Sequence, residues 1–152
     1  MSAGNEFLQK RVQKFTYKPS VDGGTAAATY NIGILPANSL ITAGYAHVVT
    51  AFGDDGDNST TISIGYTGAA TAFMAAAAVS TLTNDAVIGL LPGVPVLGVD
   101  ASHDTAAEVA VLNAASYIYL TADKHVLITI NNDHNVDAGE IDIFLEYVSS
   151  LT

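Results

Sequence analysis

Acidic and amide side chains that could bind a metal ion are concentrated in two short stretches of the sequence. The first stretch holds Asp54, Asp55, Asp57 and Asn58 within five residues. An oxygen-rich loop of this kind can hold Ca²⁺, and the same residue types are typical of a solvated hairpin turn because Asp, Asn and Gly accept turn geometry. The composition favours the turn, with a calcium site as the alternative.

The second stretch runs from Asp133 to Glu140 and also contains Asn135 and Asp137. Its glycine falls one position later than the calcium loop of an EF-hand requires, and its last carboxylate comes too soon. This stretch is therefore interpreted as another turn, and a metal site there is the less favoured hypothesis.

Residues at the spacing of a catalytic motif do not occur in the chain. The sequence has no cysteine, no HExxH, no GxSxG and no phosphate-binding glycine loop. The four histidines are scattered, at His47, His103, His125 and His134. Pairs of carboxylates at the separation used for glycoside hydrolysis do not indicate such an enzyme here, because any chain with 15 acidic residues contains such pairs by chance. The sequence predicts no catalytic residue, no cofactor and no resident metal, so a small β-sandwich hydrolase is a remote third hypothesis.

The charge is unevenly distributed along the 152 residues, which carry a formal net charge of −10. Residues 1–18 hold one acid, Glu6, and all but one of the cations: Lys10, Arg11, Lys14 and Lys18. The acidic remainder repels phosphate backbones, which argues against a nucleic-acid partner. The basic first residues are not followed by the apolar segment that a signal peptide requires. The longest apolar run, 86–99, contains prolines and is shorter than the roughly 20 residues that span a bilayer, which argues against a membrane partner.

Period-two alternation of apolar residues predicts β-strands in most of the chain. Apolar residues expected on inward faces are Ile62, Ile64, Tyr66, then Val126, Ile128, Ile130, then Ile141, Ile143, Leu145, Tyr147, and finally Ala28, Tyr30, Ile32, Ile34. Residues 115–122 are also β-rich, and alanine density in 67–82 predicts one or two helical turns. We therefore expect an extended basic arm over 1–20 and a single antiparallel β-sandwich or jelly roll over 21–152.

The segment 40–52 is apolar at both parities, so neither face of that strand suits open solvent. Its outer face should be covered by a long loop of this chain or by another subunit, and the pattern slightly favours the subunit. The residues we assign to a subunit interface are Ile41, Tyr45, His47 and Val49. Strand tyrosines could also stack on a carbohydrate, but core or interface packing is favoured for Tyr30, Tyr45, Tyr66, Tyr117, Tyr119 and Tyr147.

Two parts of the chain resemble small structural proteins of tailed-bacteriophage virions, and head decoration (cement) proteins most of all. The first part is GILPANSLITAGYAHVVTAF with the Asp/Gly turn and TISIGYTG, and the second is VLITINND with DAGEIDIFLEYV. Together they cover about residues 30–68 and 124–148. Tail-fibre and tail-tip domains have a similar style of strand and turn.

This resemblance implies a β-sandwich or jelly roll that binds the outer surface of the head and braces the major capsid protein. It implies a homo-oligomer, expected to be a trimer, that is made in the host cytoplasm and ends on the capsid surface. The basic arm, with Lys10, Arg11, Lys14 and Lys18, would contact the capsid. The alternative is a receptor- or glycan-binding domain of a tail fibre or adhesin.

Overall fold

Two antiparallel sheets pack face to face in the computed structural model, which describes residues 8–90, 118–132 and 134–150. The strands are β1 (Leu8–Tyr17), β2 (Thr29–Leu35), β3 (Ser39–Asp54), β4 (Thr61–Tyr66), β5 (Ala69–Ala78), β6 (Val87–Leu90), β7 (Ile118–Leu120), β8 (Lys124–Asn131) and β9 (Val136–Ser150). One short helix, α1 (Pro19–Asp22), follows β1, and a 3₁₀ turn, Val79–Thr81, follows β5. Within the described ranges, no helix has the length and apolarity to cross a membrane.

The order of the strands is that of a jelly roll. One sheet runs β1-β9-β3-β6, with β7 also paired to β3, and the other runs β2-β8-β4-β5. The hairpin-like pairs are nested along the chain: β4 with β5, then β3 with β6 and β7, then β2 with β8, and outermost β1 with β9. Rolling up such a nested hairpin places alternate pairs in opposite sheets, which confirms the predicted all-β sandwich.

The core lies between the sheets and is filled by the alternate residues that the sequence pattern indicated. In β9 the inward residues Ile141, Ile143 and Leu145 are all essentially inaccessible to solvent. In β8 the same holds for Val126 and Ile128, so both predicted strands are confirmed. An aromatic row joins the sheets at one end, because Tyr17 stacks on both Tyr30 and Phe52 with ring centroids 6.2 Å apart.

The predicted inward face of β2 is correct only in part. Its register shifts between Asn31 and Gly33, where a bulge adds a residue to the strand. Ile34 is therefore 46% exposed, whereas Leu35 turns into the core. A bulge reverses the alternation beyond it, and nothing in the spacing of apolar residues marks its position.

The alanine-rich segment is a strand rather than a helix over most of its length. Residues Ala69–Ala78 pair with β4, and only the 3₁₀ turn at Val79–Thr81 is helical. Alanine's helix propensity is a weak preference that tertiary pairing overrides. In this strand Phe73 packs into the core and its ring contacts Tyr66 at 5.7 Å between centroids.

The predicted arm also differs from the structure. Residues 8–17 form the edge strand β1 of the five-stranded sheet, paired with β9 along its whole length. Phe15 and Tyr17 lie in the core, and the Tyr17 hydroxyl donates a 2.7 Å hydrogen bond to the Gly23 carbonyl. Burial raises the pKa of Tyr17 well above its ordinary value, which keeps this donor protonated.

The packing of β5 predicts the effect of truncating Phe73. Phe73→Ala should lower the free energy of unfolding by about 3–5 kcal/mol, because a buried ring is replaced by a cavity. Urea unfolding followed by tyrosine fluorescence measures this change. Ala75→Ser at an exposed position of the same strand is the control and should change stability by under about 0.5 kcal/mol. An equal effect of the two substitutions would contradict the strand's placement.

Candidate functional site

The solvent side of the five-stranded sheet, here called the outer face, exposes an unusual number of large apolar side chains. Eight large apolar residues are substantially exposed among the described residues, and six of them lie on this face. They are Val12, Leu40, Tyr45, Val49, Val87 and Tyr119. Contiguous exposed apolar surface on a small domain marks an interaction site more often than isolated apolar residues do.

A shallow depression of about 130 Å³ lies at the middle of the outer face. Tyr45 of β3 and Phe144 of β9 form one wall, with their rings stacked at 4.7 Å between centroids. Val12 of β1 forms the opposite side, and the backbone of Gly44 and the small side chain of Ala43 also line the depression. The aromatic pair gives the face a rigid, mainly apolar centre.

Three lysines cross the outer face at intervals of four residues, and we call Lys10, Lys14 and Lys18 the lysine ladder. Residues an even number apart lie on the same side of a strand, so the spacing itself directs all three outward. Each pairs with an acid of β9: Lys10 with Glu146 at 3.0 Å, Lys14 with Asp142 at 2.7 Å, and Lys18 with Glu140 at 3.2 Å. The Lys14 ammonium also lies 5.9 Å from the centre of the Phe144 ring.

Two of the acids that pair with the lysine ladder, Asp142 and Glu146, have lowered pKa values. Burial by itself would raise the pKa of Asp142, which is only 9% exposed. Hydrogen bonds from Lys14 and from the Thr16 hydroxyl, the latter 2.6 Å long, outweigh burial and lower that pKa below its ordinary value. The pKa of Glu146 is lowered first by its bond from Lys10 and then by the 2.8 Å bond from the Thr42 hydroxyl.

Of the residues assigned to a subunit interface, the structure places three on the outer face and one in the core. Tyr45 and Val49 are exposed and His47 is partly exposed. Ile41 is completely buried, so its assignment to a surface is wrong. The physical reason is a bulge between Ile41 and Ala43, which turns Ile41 inward while the odd-numbered residues after it face outward.

Three of the four cations assigned to capsid contact form ion pairs within the domain. Lys10, Lys14 and Lys18 are the ladder, so they do not extend away from the body. Arg11 has no acidic partner in the part of the chain that the structure describes. Its guanidinium donates to the Gln9 side chain instead, at 3.0 and 2.6 Å.

The first acidic stretch is built as a turn between β3 and β4. The carboxylate of Asp54 accepts hydrogen bonds from the backbone N–H groups of Gly56, Asn58 and Thr60, at 2.8–3.0 Å. These bonds outweigh the opposing effect of desolvation and lower the pKa of Asp54 below its ordinary value. N–H groups directed at a carboxylate occupy the positions from which it would bind a cation, so the turn is the interpretation that the geometry favours.

The second acidic stretch packs against the first one. The side chain of Asp55 accepts hydrogen bonds from the backbone and side chain of Asn135, at 3.0 and 2.9 Å. His134 lies beside the same loop, with Nδ1 3.6 Å from Asp55 and Nε2 4.0 Å from Asp57. Asp133 lies outside the described residues, and the remaining ones include no group of three or more acids and histidines arranged for a metal.

The other histidines and tyrosines are dispersed over the sandwich. His47 Nε2 lies 3.6 Å from Asp85, and His125 Nδ1 shares a 2.8 Å hydrogen bond with Asn31. Tyr30, Tyr66 and Tyr147 pack against or within the core, as favoured over carbohydrate stacking. His103 and Tyr117 lie outside the described residues.

The chain has no counterpart among protein-family models or among curated proteins. Solved structures do match it. A chain of the cyanophage Pam1 capsid asymmetric unit matches with 15% identity and a TM-score of 0.59, and the match covers 98% of this chain and 90% of that one. A chain of the Ralstonia phage GP4 capsid matches with 14% identity and a TM-score of 0.59, over 95% of this chain and 86% of that one. A chain of the Helicobacter pylori bacteriophage KHP30 capsid matches with 13% identity and a TM-score of 0.53, over 96% of this chain and 99% of that one.

This jelly roll occurs in phage capsids. At 13–15% identity the likeness is one of fold, and it extends over nearly the whole length of this chain. The outer-face residues Val12, Val87 and Phe144 were not identified from the sequence. The four-residue spacing of the lysines, set against the alternate acids of β9, was the signal that could have located their surface.

The lowered carboxylate pKa values predict how stability depends on pH. A group whose pKa is lower in the folded state contributes stability that is complete above its unfolded pKa, about 4, and is lost as the pH falls toward the folded value. The urea midpoint should therefore be flat from neutral pH to about 5 and fall below about 4.

Asp54→Asn tests the contribution of one such group. At neutral pH the urea midpoint should fall, because an amide N–H₂ would meet a backbone N–H donor, and the acid-dependent part of the curve should shrink. Asp137→Asn changes the same charge at an exposed position and is the matched control. Identical pH profiles for the two variants would show that Asp54 does not organise its loop.

Proposed function

We propose that this protein is a non-catalytic structural component of a phage virion that binds the outside of the head and stabilises it. The proposal is supported by the jelly roll shared with capsid chains over almost its whole length. The exposed apolar outer face supports it independently, because a structural subunit needs contact surface and no cleft for chemistry.

The protein acts as a homo-oligomer, with three copies as the expected number, and its partner is the major capsid protein. A protein that binds only the assembled lattice stabilises that lattice by its binding free energy. Several linked copies also bind with an avidity that a single copy lacks, because after the first contact the others are intramolecular. No nucleic acid, membrane or cofactor is needed for this role.

The contact with the capsid is assigned to the basic end of the chain. Since the lysine ladder is already paired within the domain, Arg11 is the cation of that group that we retain for this contact. Its guanidinium is exposed at the edge strand β1, where an acidic group of a capsid subunit could replace the bond to Gln9.

The test is addition of the purified protein to phage heads assembled without it. The protein should sediment with the heads and raise the temperature at which they release DNA, because bound protein stabilises the assembled state. Protein that stays in the supernatant but binds intact host cells would contradict the proposal. That result would favour the receptor-binding alternative.

The assignment of Arg11 is tested in the same sedimentation assay. Arg11→Gln should weaken binding to heads by about tenfold, the order expected for loss of one charged hydrogen-bonded contact. Lys124→Gln, which makes the same change of charge in the other sheet, is the control and should bind as the unaltered protein does. Equal binding by all three proteins would remove Arg11 from the capsid contact.

A further inference from the structure

The outer face differs in charge from the rest of the molecule. Its ion pairs join the lysine ladder to Glu140, Asp142 and Glu146, so these six groups sum to zero. The chain as a whole carries a formal charge of −10, so that excess belongs to residues other than the six paired groups. At the rim of the face, Asp85 lies 3.6 Å from His47.

This distribution decides which partner suits the outer face. A basic partner would be attracted to the acidic remainder of the chain and would gain little here. A second copy of this chain, itself at −10, would be repelled by every strongly acidic surface. The compensated outer face is where such a copy can approach without meeting an excess of like charge.

We infer that the outer face binds a second copy of this chain, and that the lysine ladder serves to neutralise the acids of β9 so that acidic copies can associate. The inference rests on the proposed function in one respect, since the oligomer is the form assigned to the capsid. It gives Lys10, Lys14 and Lys18 a role in self-association, whereas Arg11 keeps its proposed role in capsid contact.

The apolar groups of the face supply the attraction once the charges are neutralised. Tyr45, Tyr119 and Val12 are each about half or more exposed. Tyr45 and Val12 line the central depression, and Tyr119 lies on the same face opposite Leu40. Aromatic side chains are common anchors of interfaces, because they bury a large area with little loss of conformational freedom. The neutral ion pairs between them can be covered without leaving an unpaired charge.

The test measures self-association in the absence of capsids, by sedimentation equilibrium of the full chain. The unaltered protein should form an oligomer at micromolar concentration. Lys14→Gln leaves the carboxylate of Asp142 uncompensated and should raise the dissociation constant at least about tenfold. Lys124→Gln, with the same loss of one positive charge in the other sheet, should leave the constant unchanged.

Two further measurements separate charge from misfolding. The double variant Lys14→Gln/Asp142→Asn removes both charges and should recover most of the association. About 1 M NaCl should recover the association of Lys10→Gln, because its partner Glu146 is the more exposed acid and salt screens its repulsion. Urea curves for each variant report folding. Lys10→Gln, whose pair with Glu146 is more exposed, replaces Lys14→Gln if the latter lowers stability.

A monomer at every concentration, or an equal effect of Lys124→Gln and Lys14→Gln, would overturn the inference. Failure of the double variant and of salt to restore association would also overturn it, since the defect would then not be electrostatic. These results do not depend on binding to heads. A protein that oligomerises through this face but does not bind phage heads would contradict the proposed function and leave this inference intact.

Discussion

The structure depends on the pairing of β9 with a strand on each side. β9 is hydrogen-bonded to β1 along one edge and to β3 along the other, so the first, third and last strands of the chain form one layer. Its residues alternate strictly: Ile141, Ile143 and Leu145 enter the core, whereas Asp142, Phe144 and Glu146 form the middle of the outer face. A slip of one residue would exchange these two sets and bury the acids.

The ion pairs of the lysine ladder also help to fix the register between β1 and β9. Lys10 and Lys14 of β1, and Lys18 directly after it, each reach an acid of β9. Asp142 is nearly buried beneath its partners Lys14 and Thr16. Leaving a buried carboxylate unpaired is costly, so a shifted pairing of β1 would lose core contacts and ion pairs together. The edge strand is thereby fixed by two independent kinds of interaction. The ion pairs also neutralise Glu140, Asp142 and Glu146 on the outer face.

The loops at one end of the sandwich show a different use of acidic residues. Asp54 organises its own turn by accepting backbone hydrogen bonds, and Asp55 ties that turn to Asn135 of the neighbouring loop. These groups bind the backbone of this chain, and the loops therefore position the ends of β3, β4 and β9.

The sequence by itself determined the all-β class, the strands β4, β8 and β9, and the apolar outer side of residues 40–52, because a period of two is a local property of the chain. Only the tertiary structure decided that Ile41 turns inward, that residues 69–78 are a strand, and that the three lysines of the ladder pair with acids of β9. A bulge, the sheet pairing of an alanine-rich segment and an ion pair between residues more than 120 positions apart all depend on which strands become neighbours. That choice is made by the packing of the whole domain and not by any local pattern.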